Sequence, residues 1–150
     1  MPFRESPRGR RAFRLCRGFG LEIGALHDPF DLDAAVLRLD RMDQTGLRRW
    51  YEGDARAPRI RRVHAVAERP PYPFLADGAF DFVISSHTLE HMPNPGLALE
   101  EWLRVTRPGG VVVAVIPNRD RTFDRPRAVT DPEVMLAAWE AREDAAPLAQ

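Results

Sequence analysis

The sequence contains no lysine, and all 22 of its basic side chains are arginines. A GC-rich genome, which favours Arg, Ala, Gly and Pro codons, explains this bias better than recruitment of guanidinium groups for phosphate binding. The 22 acidic side chains bring the formal net charge to zero. A neutral chain lacks the overall charge that favours nucleic acid or an acidic membrane surface. We therefore expect no nucleic-acid partner.

Cysteine is nearly missing as well, since Cys16 is the only one. A single cysteine excludes an internal disulfide and any cysteine-rich metal site, and it is typical of a reducing compartment. No apolar stretch approaches the roughly 20 residues that a membrane-spanning helix needs. The charged N-terminus is not followed by the apolar core of a signal peptide. These observations predict a cytoplasmic protein that binds no membrane.

The chain has 150 residues, enough for one domain with a real core. Residues 1–17 are rich in Arg, Pro and Gly and show no sustained period. They predict a flexible lead-in with a short helix near residues 11–16. We place a single domain at residues 18–142 and a short tail at residues 143–150.

Short apolar runs along the chain predict five β-strands, at residues 19–23, 35–39, 63–67, 80–85 and 111–116. The last run is continuous and β-branched, which is typical of a parallel strand covered on both faces. Helical patterns follow the second, fourth and fifth of these runs. The alternation predicts an α/β fold with a mostly parallel sheet and flanking helices.

The helix after the fourth strand has the clearest boundaries. Asn94 can cap its N-terminus, Pro95 suits its first turn, and the Pro108-Gly109-Gly110 turn would end it. The last helix has a similar start, with Thr130 or Asp131 as its cap. N-caps and terminating turns of this kind predict the two ends of a helix from neighbouring residues alone.

Apolar residues recur at helical spacing after this cap, namely at Ala98, Trp102 and Val105. Leu99 and Leu103 lie beside them in the sequence. We expect Trp102, together with Leu99 or Leu103, in the core. In the helix after the second strand, Leu47 and either Trp50 or Tyr51 are expected on the buried side.

Polar residues stand at the ends of consecutive predicted strands, where open parallel sheets bind their ligands. Glu22 and Gly24 belong to the first strand end, Asp40 to the second and Glu68 to the third. Asp40 could accept hydrogen bonds from ribose hydroxyls and Glu68 from an adenine amine, while Gly24 lets the backbone approach a ligand closely. A single acidic residue is more often a solvated loop charge. Their recurrence favours a nucleoside site.

Two histidines follow the fourth strand and its last residues, Ser85 and Ser86. On a helix His87 and His91 would share one face and could hold zinc, but Pro93 interrupts such a helix. We therefore predict no metal site. Either histidine could act as a general base, and either could equally be a loop residue that hydrogen-bonds the backbone.

Three parts of the sequence together resemble class I S-adenosylmethionine-dependent methyltransferases of the type 11-like group. They are LEIGALHDPF, the Asp40 position, and DGAFDFVISSHTLEHMPNPGLALEEWLRVTRPGGVVVAVIPN. The resemblance covers roughly residues 19–130 and implies a Rossmann-like sheet of strand order 3-2-1-4-5. It also implies S-adenosylmethionine as the cofactor, bound by Glu22, Gly24, Asp40, Glu68, Ser85 and Ser86, with His87 beside them at the strand end that lines the cofactor.

The sequence departs from this family in two places. After Gly24 the usual run of three glycines is missing, and only residues 25–34 precede the second strand. A full crossover helix does not fit there, so we expect the cofactor's carboxylate to lack a helix N-terminus. Beyond Val115 the sequence gives no signal for the family's sixth and seventh strands. The chain therefore resembles a domain truncated after strand five.

The resemblance implies methyl transfer to a small-molecule or glycan acceptor. The glycan class comes from the loop RDRTFDRPRAVT, which is similar to a bacterial subgroup linked to surface-polymer pathways. The alternative is a non-catalytic or truncated remnant that binds the cofactor or a partner without turnover. A dinucleotide-dependent oxidoreductase is disfavoured, because no G-x-G-x-x-G follows the first strand. A homodimer is one way to cover the unpaired edge of strand five.

Overall fold

All five predicted strands are present, and they form one sheet in which every pairing is parallel. The computed structural model describes residues 6–123 and 125–143. The strands are β1 (Phe19–Ile23), β2 (Ala35–Asp40), β3 (Ala65–Val66), β4 (Phe80–Ser86) and β5 (Thr106–Val115). Their order in the sheet is β3-β2-β1-β4-β5, as the resemblance implies.

Helices flank the sheet on both faces. They are α1 (Pro7–Leu15), α2 (Gln44–Trp50), α3 (Pro95–Val105) and α4 (Pro132–Glu140). The central strands alternate between two cores: Val83 packs with Trp102 of α3, whereas Phe82 packs on the face that carries Phe13 of α1. Both faces of β4 are buried, which is why its sequence reads as an apolar run without strict alternation.

The N-terminal helix begins earlier than the sequence predicts. Ser6 caps α1 by accepting a hydrogen bond from the Gly9 amide at 3.0 Å, whereas the predicted helix began near residue 11. The ring of Phe13 lies 5.2 Å from the ring of Phe30, and Cys16 beyond the helix is buried. Burial raises the pKa of the Cys16 thiol to about 11. The domain boundaries proposed above stay predictions.

The start of α3 is as predicted, and its end is not. The side-chain oxygen of Asn94 accepts from the Leu97 amide at 3.2 Å, and Pro95 occupies the first turn. The helix ends at Val105, however, before the Pro-Gly-Gly turn. That turn lies inside β5, which starts at Thr106 and has an irregular register against Phe80 and Phe82 of β4.

The core contains Trp102 but not the two leucines beside it. Trp102 is fully buried, whereas Leu99 is 38% and Leu103 63% exposed. The prediction of a buried leucine is wrong, because α3 turns Ala98, Trp102 and Val105 toward the sheet and its leucines away from it. In α2 the prediction is confirmed for Leu47, which is buried, and for Tyr51, which packs against it, whereas Trp50 is largely exposed.

The two departures from the family pattern are confirmed within the described chain. Residues 24–34 connect β1 to β2 without a helix. After β5, residues 116–123 and 125–143 hold a short 3-10 turn and α4 but no strand. The third strand is shorter than predicted, since only Ala65–Val66 pairs with β2. None of the helices described is long and apolar enough to cross a membrane.

Candidate functional site

A cleft opens at the carboxyl ends of β1, β2 and β4, where a parallel sheet binds ligands. It consists of two adjoining cavities of about 400 Å³ and about 270 Å³, which we call the larger and the smaller cavity. Four residues line both: Ile23, Gly24, Leu26 and His87. The two cavities therefore adjoin along these four residues and form one cleft.

Asp40 ends β2 and lies in the wall of the larger cavity, where the sequence predicts a ribose-binding acid. Its side chain is buried, and its two oxygens accept hydrogen bonds from the amides of Arg41, at 2.8 Å, and Leu26, at 3.3 Å. Burial raises the pKa of Asp40, and these two amides partly oppose that shift. An ionised carboxylate has about four lone-pair sites, so hydroxyl donors could still bind it.

Two further residues line the larger cavity. Glu68 follows β3 and is exposed. Tyr72 is fully buried in the same wall, where its hydroxyl interacts with the side chain of Trp102. Burial raises the pKa of Tyr72 to about 12, so the hydroxyl keeps its proton near neutral pH.

Glu22 has partners inside the protein. Its carboxylate is almost completely buried and accepts hydrogen bonds from the Phe30 amide, at 2.6 Å, and from the Arg38 guanidinium, at 3.0 Å. The first bond ties the helix-free crossover to β1, and the second neutralises the buried charge. Glu22 lines the smaller cavity, where its hydrogen bonds hold the crossover and β2 against β1. Its contact with a cofactor stays a prediction.

Gly24 is required for a reason that the sequence does not reveal. Its φ is 68°, and a Cβ atom at this position would lie 2.4 Å from Oγ1 of Thr88. The Thr88 hydroxyl lies within 3.3 Å of the Ile23 carbonyl and 3.2 Å of the Ser86 carbonyl, both of which can accept its proton. In this structure, therefore, the loop after β4 approaches Gly24 closely. The sequence predicts that a ligand makes this approach.

The polar residues at the end of β4 differ in burial and in whether they line the cleft. Ser85 is 1% exposed and lies within the sheet, whereas Ser86 reaches the wall of the smaller cavity. His87 has a φ of 54°, and its amide donates to the Val115 carbonyl at 2.9 Å. This left-handed conformation, which is costly for a residue with a side chain, aims His87 at the middle of the cleft.

His91 completes the set of predicted site residues. It ends a 3-10 turn at Leu89–His91 and lines the larger cavity, on the side shared with His87. The two histidines therefore border the same cavity without sharing a long helix. In the described part of the chain, no group of three His, Cys, Asp or Glu side chains could hold a metal ion.

The predicted site residues do not include several that line the cleft, among them Thr88, Tyr72 and His27. His27 lines the smaller cavity, and its Nδ1 atom is buried with no hydrogen-bond partner in the described residues. Its ring meets the ring of Tyr51 edge-on, with centroids 6.2 Å apart. These positions depend on contacts between distant segments, so no local pattern in the sequence marks them.

The family model described as a methyltransferase domain matches residues 17–114, which include nearly the whole sheet and the residues that both cavities share. The chain belongs to the methyltransferase domain family. This family assignment agrees with the class I fold, since the Rossmann-like sheet and its strand order are those that the resemblance implies.

Relatives of this methyltransferase-family chain include an uncharacterized methyltransferase of Mycobacterium sp. (strain KMS). The two are 41% identical over 66 residues, which are 44% of this chain and 25% of the relative. An uncharacterized methyltransferase of Mycobacteroides abscessus is 51% identical over 39 residues, 26% of this chain and 15% of the relative. The matched segments thus span a quarter or less of the relatives' length.

Among solved structures, a SAM-dependent methyltransferase from Aquifex aeolicus has the same fold. The comparison gives a TM-score of 0.56 at 18% identity and covers 94% of this chain and 82% of that one. At this identity the likeness shows a shared fold.

Proposed function

We propose that this methyltransferase-family protein binds S-adenosylmethionine in its cleft and transfers the methyl group to a small-molecule or glycan acceptor. The observation that carries the proposal is the buried carboxylate of Asp40, which ends β2 beside the Gly24 turn and lines the larger cavity. A buried acid at this place is costly unless donors satisfy it, and ribose hydroxyls are suitable donors.

The larger cavity fits the nucleoside half of the cofactor. Asp40 would accept from the ribose hydroxyls, and Glu68 would accept from the exocyclic amine of adenine. Tyr72 adds a buried aromatic ring to the wall of the same cavity. Gly24, Ser86 and Glu22 would border the remainder of the cofactor, with Ser85 supporting them from inside the sheet.

When bound, S-adenosylmethionine supplies a methyl group on a sulfonium, which the acceptor's lone pair takes while the electrons of the C–S bond return to sulfur. The protein's part is to align the acceptor with that bond and to exclude water. An acceptor that loses a proton also needs a base. His87 and His91 both border the larger cavity, and we propose that one of them removes this proton.

A specific observation also supports the alternative, a protein that binds the cofactor without turnover. Within the described residues no strand pairs with the outer edge of β5, so nothing in that part of the chain extends the sheet beside the cleft.

A second copy paired along β5 would cover this edge, and we propose such a homodimer for the active form. Light scattering, compared with a methyl-transfer assay on small-molecule and glycan acceptors, separates the two functions.

Calorimetric titration tests cofactor binding directly. The chain is expected to bind S-adenosylmethionine and S-adenosylhomocysteine but not NAD. Asp40→Ala should weaken binding of both by about tenfold or more, since a hydrogen bond to a charged group contributes about 1.5–3 kcal/mol. The matched control is Asp33→Ala, because Asp33 is an exposed carboxylate in the crossover before β2. This variant should bind both ligands as the parent does. Equal affinities for the parent and Asp40→Ala would contradict the proposed placement.

A further inference from the structure

The two ends of the cleft differ in the groups they present. Asp40 and Glu68 border the larger cavity, whereas His27 and Ser86 border the smaller one. A ligand whose nucleoside occupies the larger cavity can extend past Gly24 into the adjoining smaller cavity. S-adenosylmethionine carries an ammonium and a carboxylate at the end opposite its nucleoside. These charged groups therefore need partners in the smaller cavity.

The smaller cavity lacks the donors that a helix would offer to a carboxylate. A helix N-terminus binds anions through its free amides and its dipole, but residues 24–34 form no helix. Glu22 is anionic and already holds the Phe30 amide and the Arg38 guanidinium. A donor for an incoming carboxylate must come from elsewhere in the wall.

His27 supplies such a donor. Its ring lines the smaller cavity, and its buried Nδ1 has no hydrogen-bond partner in the part of the chain that the structure describes. The ring also interacts electrostatically with the carboxylate of Asp54, so His27 already favours an anionic neighbour. A buried polar atom without a hydrogen-bond partner is energetically unfavourable. A ligand that forms a hydrogen bond with this atom removes that cost and therefore binds more tightly. An imidazole that carries a proton on Nδ1 donates to a carboxylate, and it is a cation when both nitrogens are protonated.

The backbone immediately before His27 is held by contacts of Leu26. Leu26 has a φ of 44°, its amide donates to Asp40, and its side chain packs with the cluster around Leu47 of α2. A non-glycine residue keeps such a conformation only where its surroundings impose it. The same hydrogen bond therefore links the acid of the larger cavity to the residue that precedes His27.

We propose that His27 binds the carboxylate of the methionyl half of S-adenosylmethionine and replaces the missing helix N-terminus. This inference rests on the proposed function, because it takes the nucleoside to lie beside Asp40. It assigns a role to a residue that the family resemblance does not carry over.

Two ligands separate the role of His27 from general effects on the cleft. S-adenosylhomocysteine has the amino-acid end, and methylthioadenosine keeps the nucleoside and the thioether without it. His27→Phe, which preserves a ring beside Tyr51, should weaken S-adenosylhomocysteine about tenfold or more and change methylthioadenosine less than about twofold. Asp40→Ala should weaken both ligands.

A second variant guards against a merely structural effect. His27→Asn keeps a side-chain N–H near the place of Nδ1, so it should restore most of the affinity for S-adenosylhomocysteine. In nitrogen NMR of the parent, the Nδ1 signal of His27 should shift with S-adenosylhomocysteine and stay in place with methylthioadenosine. Equal losses for both ligands in His27→Phe, or unchanged affinity for S-adenosylhomocysteine, would overturn the role of His27. A parent chain that binds neither ligand would overturn the proposed function and this inference together.

Discussion

The side chain of Glu101 in α3 accepts a hydrogen bond from the backbone amide of Tyr72 at 2.7 Å, which joins the helix to the segment under the larger cavity. The same carboxylate holds the guanidinium of Arg104, one turn further along α3, at 2.6 Å. Glu101 is 7% exposed, so both contacts lie largely out of water. Glu101, which does not line the cleft, therefore helps to fix the position of Tyr72, which does.

This arrangement predicts a pH dependence of stability. The hydrogen bond from Arg104 lowers the pKa of Glu101, burial opposes the shift, and the Tyr72 amide lowers it further. Because the pKa is depressed in the folded state, its contribution to stability is complete above the unfolded value of about 4.3 and is lost as the pH falls through the folded value.

Glu101→Gln should therefore lower the free energy of unfolding by about 1–3 kcal/mol at neutral pH, and the difference from the parent should shrink below about pH 4. Urea unfolding at a series of pH values measures both effects. The matched control is Glu100→Gln, whose half-exposed carboxylate pairs with Arg142 and should contribute less than about 1 kcal/mol. A pH-independent difference between parent and Glu101→Gln would contradict the assignment.

Truncation of Trp102 should be among the most destabilising changes in α3. Its side chain is fully buried between the helix and the sheet, so Trp102→Ala should lower the free energy of unfolding by about 3–5 kcal/mol. Leu103→Ala, at the exposed neighbour, should stay within about 0.5 kcal/mol of the parent. Chemical denaturation of the parent and the two variants measures these differences. Comparable losses of stability in both variants would mean that α3 turns a different side toward the sheet.

Substitution of Gly24 should disturb the fold and the cleft together. In Gly24→Ala the new methyl group meets Thr88 in addition to the strain of a positive φ. Gly53 also has a positive φ, of 92°, but a Cβ atom there would have no described neighbour within 4 Å. Gly53→Ala therefore measures the backbone strain alone, about 1–2 kcal/mol. Gly24→Ala should cost more than this in thermal or urea unfolding.

The double variant Gly24→Ala/Thr88→Ala identifies the source of that extra cost. Removing the hydroxyl that crowds the new methyl group should recover part of the lost stability, as a coupling energy between the two positions. Strictly additive effects of the two substitutions would mean that Thr88 does not approach Gly24 in solution.

Local signals in the sequence are sufficient for most of the fold. The Asn94 cap and the apolar runs of β1, β4 and β5 depend on neighbouring residues, and the structure confirms them. The apolar stripe of α3 is broad, however, and periodicity does not tell which part of it faces the sheet. The prediction that Leu99 or Leu103 is buried was wrong for that reason.

The candidate site is less readable from sequence for a related reason. Asp40 and Glu68 stand at strand ends, so the topology alone brings them to one edge of the sheet. The contact of Thr88 with Gly24 joins loops that follow different strands. Likewise, the position of His27 and its Nδ1 atom depends on how the crossover packs against Tyr51 at the end of α2. Long-range packing of this kind has no periodic signature.

The strand order also affects how the chain is made. β1 lies between β2 and β4, and the Phe19 amide bonds the Asp81 side chain 62 residues further along the chain. During synthesis, one edge of β1 stays open until β4 has left the ribosome. Contacts between segments so distant in sequence form slowly, and an exposed strand edge favours aggregation. The centre of the sheet therefore cannot be completed before the fourth strand has been made.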